Sequence, residues 1–327
     1  MRLLVTGGAG YVGGHTVRAL LDAGHEVTVY DNLVYGHAET VPCELVIGEL
    51  SDRERLGALL ARGRFDAVLH FAAYAYVGES VRDPAKYWRN NVAAGLDLLD
   101  TMRAAGVNRI VFSSTCATYG PPTSVPVGED ERKAPESPYG ESKLAFEQVL
   151  AAYGRAYDVR SVSLRYFNAA GARADGTLGE EHEPETHLIP LVLRAAAGRA
   201  PSIKLFGTDY DTPDGTCIRD YVHVDDLASA HVRALGAMER PNTTLAYNVG
   251  TGTGYSVREI IDACERVTGR GIAVEKVERR PGDPPALYAD NSKIRDELGW
   301  APAYTDAESI VRTAWNWHAR KWGITPG

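Results

Sequence analysis

Short apolar runs alternate along the chain with stretches whose apolar residues recur three or four positions apart. The runs are Leu3-Leu4-Val5, Val27-Thr28-Val29-Tyr30, Leu45-Val46-Ile47, Ala67-Val68-Leu69-His70-Phe71, Ile110-Val111-Phe112 and Ser161-Val162-Ser163-Leu164. Each is too short for a helix, and most are apolar throughout rather than alternating. That is the pattern of strands covered on both faces of a parallel sheet. Between them, Val12, Val17, Leu20 and Leu21 mark a helix, and residues 96–102 and about 138–153 mark two more. Strand–helix repetition of this kind predicts an α/β fold, a Rossmann-type doubly wound parallel sheet.

The texture changes after about residue 170. Residues 171–185 are polar and rich in Gly and Glu, without periodicity, and predict a long loop of the kind that often carries function. Shorter elements follow, expected to be broken by Pro190, Pro201, Pro213, Pro281, Pro284 and Pro285. The chain therefore divides into a Rossmann domain over 1–170 and a smaller α+β domain over 171–327. Residues 225–250 read as a helix and then a strand that returns to the first sheet.

Composition narrows the partners. The net charge is −8, from 35 Lys+Arg against 43 Asp+Glu, and no basic run occurs. Such a chain is a poor match for nucleic acid or an anionic membrane. The 327 residues suffice for a core without staples. Cys43, Cys116, Cys217 and Cys264 form no C-x-x-C pair, so no disulfide framework, zinc site or other metal site is read. Nothing resembles a signal peptide or a membrane span, and a cytoplasmic setting is expected.

Three places carry candidate chemistry. The first run ends in Thr6-Gly7-Gly8-Ala9-Gly10-Tyr11-Val12-Gly13, a glycine-spaced turn between strand and helix. There Gly7 allows a tight turn, Gly10 lets backbone approach a pyrophosphate and Gly13 lets the helix pack closely on the sheet. The next strand ends at Asp31, which suits a ribose 2′-OH and repels a 2′-phosphate, so NAD is expected over NADP. Of 17 tyrosines, only Tyr139 has a lysine four residues later, Lys143. Ser137-Pro138 before it reads as an N-cap followed by a first-turn proline, so the two side chains share a helix face. A phenol with a pKa of about 10 is a poor base at neutral pH. A neighbouring ammonium and an oxidised nicotinamide are expected to lower it. The fifth run continues into Ser113-Ser114-Thr115, placing hydroxyls at the carboxyl end of a parallel strand, where ligands bind.

With these residues the chain resembles the extended short-chain dehydrogenase/reductases, specifically the UDP-glucose 4-epimerase type. The resemblance runs on through His70-Phe71-Ala72-Ala73, Val77-Gly78-Glu79-Ser80, Asn90-Asn91-Val92, Ser137-Pro138-Tyr139-Gly140, Leu164-Arg165-Tyr166-Phe167-Asn168 and Phe206-Gly207-Thr208-Asp209-Tyr210. Asp214-Gly215-Thr216, Arg219-Asp220-Tyr221-Val222-His223-Val224, Asn248-Val249-Gly250 and Arg279-Arg280-Pro281-Gly282-Asp283 complete it. It implies Tyr139 as catalytic base, Lys143 as the lysine on the nicotinamide ribose, and Thr115 in the place of a catalytic serine. NAD would be held by Gly7, Gly10, Tyr11, Val12, Gly13, Asp31, Asn32, Glu49, Leu50, Phe71, Ala72, Asn91, Ser113 and Tyr166, besides Tyr139 and Lys143. The UDP-sugar would meet Thr115, Asn168, Leu188, Phe206, Arg219, Arg280, Asp283 and Leu287, with the two arginines on the diphosphate.

This resemblance implies 4-epimerisation of UDP-glucose and UDP-galactose through a 4-keto sugar, with the smaller domain binding the UDP-sugar. A UDP-xylose/UDP-arabinose 4-epimerase is the alternative, because Thr115-Cys116-Ala117-Thr118-Tyr119-Gly120 fits it too. Related dehydratases carry Thr-Asp-Glu where this chain has Thr115-Cys116-Ala117, which supplies no carboxylate pair. Glu49 stands where an Asp is usual near the adenine, and Gly14 replaces a frequent Ser. Apolar positions on several sides of the helices near 96–102 and 144–153 imply a homodimer.

Overall fold

The computed structural model describes residues 1–241, 243–280 and 282–325, so Pro281 of the Arg279–Asp283 motif lies outside the described residues. Its first half runs β1 (Arg2–Thr6), α1 (Tyr11–Asp22), β2 (Glu26–Asp31), β3 (Glu44–Ile47), α2 (Arg53–Gly63) and β4 (Ala67–His70). Two short helices, α3 (Val77–Arg82) and α4 (Pro84–Tyr87), lead through a wider π-type turn, Trp88–Ala93, into α5 (Ala94–Ala104). Then come β5 (Arg109–Thr115), α6 (Pro138–Tyr157) and β6 (Arg160–Tyr166).

These strands and Thr244–Val249 form one seven-stranded sheet in the order Thr244–Val249, β6, β5, β4, β1, β2, β3, with every pairing parallel. The apolar strands explain it. Leu3, Leu4, Val5, Val68, Leu69, Val111, Val162 and Leu164 are fully buried, because helices cover both faces. The run at 45–47 departs from that reading: β3 is an edge strand, and Ile47 is half exposed. The helix α2 escaped the sequence reading, although Leu56, Leu59 and Leu60 line its buried side.

The chain reverses its lateral direction at β1, which has β2 on one side and β4 on the other. The crevice between the carboxyl ends of β1 and β4 is therefore the switch point of the sheet, where α/β folds bind ligands.

A second apolar cluster joins the helices Leu188–Ala196, Val257–Thr268 and Ala307–Lys321. Pro190 does not break the first of these. It lies in its opening turn, where the missing N–H has no intrahelical acceptor to lose. Short pairings, Ile203–Phe206 with Val274–Val277 and Ile218–Arg219 with Ala286–Leu287, complete this half. Among the described residues no helix is long and apolar enough to cross a membrane.

Candidate active site

β1 ends at Thr6 and α1 starts at Tyr11, so residues 7–10 must turn within a few ångströms. Gly7 does so at φ +75°, and a Cβ there would stand 2.4 Å from the Ala72 nitrogen. At Gly13 a Cβ would stand 2.2 Å from the Gly7 carbonyl oxygen. The tight contact of Gly13 is thus with the loop. The close approach to a strand belongs to Gly8, where a Cβ would meet the Val29 side chain at 2.8 Å. Gly10 is the N-cap and offers no side chain, so the amides of Tyr11, Val12 and Gly13 face outward without intrahelical acceptors.

Asp31, at the end of β2, accepts from the backbone N–H of Ala9 at 3.0 Å and of Leu33 at 2.8 Å. Burial raises its carboxyl pKa while these bonds pull it down. Asn32 donates to both oxygens of Glu49, at 3.2 and 3.1 Å, so Glu49 holds its neighbour at the wall of the cavity. Gly7, Gly10, Asp31, Asn32, Glu49, Leu50, Phe71 and Ala72 line that cavity together. The Tyr11 hydroxyl instead donates to the Gly171 carbonyl at 2.6 Å, tying α1 to the long loop. A bare loop, free helix amides and a carboxylate one strand over fit the pyrophosphate and ribose of a dinucleotide.

Ser137 caps α6 by accepting from the Gly140 N–H at 3.2 Å, with Pro138 in the first turn. That start sets Tyr139 and Lys143 on one face, both buried. Lys143 Nζ donates to the Ser113 carbonyl at 2.7 Å and lies 6.0 Å from the centre of the Tyr139 ring. Burial pushes the Lys143 ammonium down to about 7, against the attraction of Glu147. Burial and then Tyr166 hold the Tyr139 phenol well above its ordinary value, while a hydrogen bond with Thr115 works the other way. In the protein alone, then, desolvation overrides the expected lowering by Lys143. A further positive charge beside the ring is what the site needs to favour the phenolate.

Thr115 closes β5 and caps the short turn Cys116–Thr118, accepting from the Ala117 N–H at 3.2 Å. Ser113 and Tyr166 share a hydrogen bond of 2.6 Å between hydroxyls. Asn91 spends its amide inside the protein. Its oxygen accepts from the Tyr74 N–H, and its nitrogen donates to the Tyr74 carbonyl and to Ser142 Oγ. It positions the segment after β4 against α6, next to Lys143.

Across the cleft, Leu287 lies in register with Arg219, whose guanidinium donates to Asp283 at 2.6 Å. The Arg280 guanidinium stands over the Phe206 ring at 4.0 Å. Asn168 donates to the Asp220 carbonyl at 3.2 Å. Leu287 packs with Tyr119, Val127, Phe167, Ala289 and Cys116, beside the turn that Thr115 opens. Leu188 is set apart from these, packed on the second apolar cluster.

Sequence reasoning missed the supports. Glu147 takes a bidentate ion pair with Arg165, as close as 2.5 Å, and accepts from Ser114 Oγ at 2.5 Å. Arg165 also donates to the Tyr119 hydroxyl at 3.0 Å. Asp220 accepts from the N–H groups of Thr251, Gly252 and Ala289, fastening the end of the Thr244–Val249 strand to the segment after Ala286–Leu287. Only the spacing of Glu147, four residues after Lys143, was open to view.

The chain and its fold are matched in known proteins. Residues 3–250 match the model of the NAD dependent epimerase/dehydratase family. The chain belongs to that family. It is 52% identical over 320 residues to a UDP-glucose 4-epimerase of Rhizobium meliloti (strain 1021), covering 98% of this chain and 97% of that one. Its fold matches the UDP-glucose 4-epimerase from Brucella ovis in complex with NAD at a TM-score of 0.95 and 49% identity, over 100% of this chain and 99% of that one. It also matches the Bifidobacterium longum UDP-glucose 4-epimerase in complex with NAD+ and UDP, at a TM-score of 0.93 and 37% identity, over 99% and 100% of the two chains. The family chemistry makes this chain an NAD-dependent epimerase.

Proposed function

We propose that this chain interconverts UDP-glucose and UDP-galactose by inverting C4, with NAD held along the glycine loop, Asp31 and the Tyr139–Lys143 face of α6. The observation that carries this reading is the buried Tyr139–Lys143–Thr115 set at the carboxyl end of β5, beside the switch point. Bound there, NAD would supply hydride-acceptor and hydride-donor chemistry at C4 of the sugar. The protein's own part is to move one proton. Tyr139 takes it from the 4-hydroxyl at its phenol oxygen and gives it back, and Thr115 orients that hydroxyl. Lys143, anchored on the Ser113 carbonyl, places a positive charge near the ring whenever it is protonated. Because the groups are buried, no bulk water competes for the proton.

Residues 171–327 would supply most of the sugar-nucleotide side, with Phe206 and Arg280 stacked at one end and Arg219, Asp283 and Leu287 clustered at the other. The exclusion of dehydratase chemistry is supported locally. Burial pushes the Cys116 thiol up to about 12, and neither Cys116 nor Ala117 supplies the carboxylate pair that elimination needs. The 4-epimerase relatives favour the hexose reading over the pentose one. Purified protein incubated with UDP-galactose should yield UDP-glucose by NMR without added NAD. Strict dependence on continuously supplied cofactor, with NADH accumulating, would point to a dehydrogenase.

Two finer statements belong to the same proposal. The chain works as a homodimer in the cytoplasm, joined through the outward side of α5 and α6, where Leu96, Leu144, Ala145 and Val149 are only partly buried. A monomer mass by light scattering at micromolar concentration would overturn the dimer. Leu287 limits the room for an N-acetyl group, so the N-acetylated sugars should be turned over at least about tenfold less efficiently, a difference of about 1.4 kcal/mol. Equal kcat/KM for both sugar pairs, or no gain on the N-acetylated pair in Leu287→Ser, would remove Leu287 from that role.

A further inference from the structure

The long loop before the helix Leu188–Ala196 carries two Glu-x-His arms, Glu180-x-His182 and Glu185-x-His187. The fold brings one ligating atom from each of the four side chains to within 4.8 Å of all the others. His187 Nδ1 lies 2.7 Å from Glu180 Oε1 and 3.1 Å from Glu185 Oε1, and His182 Nδ1 lies 3.2 Å from Glu180 Oε1. The carboxylate side chains are deeply buried, 4% exposed for Glu180 and 2% for Glu185. None of this chemistry takes part in the epimerase reading above.

Half of this cluster is paired: Glu185 Oε1 accepts from the Thr186 and His187 N–H groups and shares a hydrogen bond with His187 Nδ1 at 3.1 Å. Glu180 Oε1 and His182 Nδ1 are buried, yet neither has a partner with hydrogen-bond geometry. The atoms are close, but they do not face each other as donor and acceptor. A buried carboxylate oxygen left so is costly. A metal takes imidazole in its neutral form, so with a divalent cation bound the two carboxylates would balance its charge, and Lys321, the lysine at this loop, is taken by Glu181. One divalent cation among the four atoms would give Glu180 Oε1 and His182 Nδ1 the partner they lack.

We propose that Glu180, His182, Glu185 and His187 bind one zinc ion in a structural site. Two imidazole nitrogens and two carboxylate oxygens form a mixed donor set of the kind zinc takes at four-coordination. Calcium and magnesium prefer six or more oxygens, or several retained waters, and fit it poorly. Four protein ligands leave no open position for substrate, so the ion holds structure and performs no chemistry. An entry path exists: a cavity lined by Gly36, His37, Glu181, Arg194 and Lys321 reaches Glu180 and His182.

The position gives the ion something to hold. The rings of Tyr11, at the start of α1, and Tyr76, before α3, both stand edge-on to His182, at 6.2 and 6.1 Å. Trp317, on the C-terminal helix, donates to the Glu180 carbonyl at 3.4 Å. His187 stands at the N-cap position of the helix Leu188–Ala196 and makes no side-chain cap bond there. The ion would join the glycine-loop end of the sheet to the helices of the second apolar cluster.

Full-length protein stripped with chelator and reloaded with zinc sulfate should retain one zinc per chain after exhaustive dialysis, by elemental analysis, and melt at a higher temperature than the stripped form. Magnesium should reproduce neither effect. Cobalt(II) added to the stripped wild-type protein should give intense visible bands of a four-coordinate site, bleached by zinc; this needs no variant to fold. Glu180→Gln, nearly isosteric, should weaken zinc binding by at least about tenfold, since even indirect supports of metal ligands are worth 10–100-fold. Zinc lost on dialysis from folded wild-type protein, together with no four-coordinate cobalt spectrum, would overturn the proposal and leave the cluster an ion-paired group only. Zinc retained equally by wild type and Glu180→Gln would overturn it as well.

Discussion

Lys143 and Arg165 are cations buried against the same helix, α6, and the protein treats them in opposite ways. Arg165 is held by both oxygens of Glu147 and by Tyr119, and its guanidinium pKa is raised even though it is buried. Lys143, one turn before Glu147, has a single neutral partner, the Ser113 carbonyl, and burial pushes it down to about 7. The first arrangement is closed: each of the three guanidinium nitrogens has an acceptor and the charge is locked. The second is open, and its charge responds to what enters the cleft. The difference teaches where stability and chemistry are kept apart. The paired ions fix α6 to β5 and β6, and the under-satisfied lysine and phenol sit on the end of α6 that faces the ligand crevice.

Breaking the closed arrangement should have the largest effect. Glu147→Ala strands a buried guanidinium, and losing one partner of such a pair costs about 3–5 kcal/mol. Urea denaturation should show a loss of that size, whereas Glu147→Leu with Arg165→Met should recover most of it. A loss under about 1 kcal/mol for the single variant would mean that the pair is not buried in solution.

The open arrangement predicts a kinetic loss instead. Tyr139→Phe should lower kcat by at least about 10²-fold, the lower end for a general base. The stability and NAD content of the purified variant should stay near wild type. Activity within threefold of wild type would remove Tyr139 from the proton transfer.

The smallest effect is the most diagnostic of Lys143. Its folded pKa lies below its unfolded value of 10.5. Below about pH 7 both states carry the ammonium, and the folded state bears the full cost of burying it. Between about 7 and 10.5 the unfolded chain still holds a proton that the folded chain has released, so this contribution to stability improves as pH rises. Cofactor-free Lys143→Met should therefore be more stable than cofactor-free wild type at pH 7, by roughly 1–2 kcal/mol once the lost Ser113 bond is set against the relieved burial. The gain should shrink toward pH 10. Thermal melts across that range check it, and a gain that grows with pH would refute the assignment.

Both arrangements were unequally visible in the chain. The glycine spacing from Gly7 to Gly13, Asp31 after the second run, and the Tyr139–Lys143 step are local patterns, and local geometry follows from them directly. A helix face is set by spacing, and a turn at φ +75° calls for glycine. The alternation of apolar runs likewise implied the parallel sheet, because strands covered on both sides need no polar face. Tertiary structure decided what spacing cannot encode. Glu147 meets Arg165, and Asp220 meets Thr251 and Ala289, only once separate strands are side by side. The 180–187 segment shows the limit most plainly. Its Glu-x-His arms stood in the sequence, but without a periodic backbone their spacing set no direction, and only the packed loop turns four side chains to one point. The pKa shifts of Lys143 and Tyr139 likewise come from packing, because a pKa depends on how much water the fold removes from around the group.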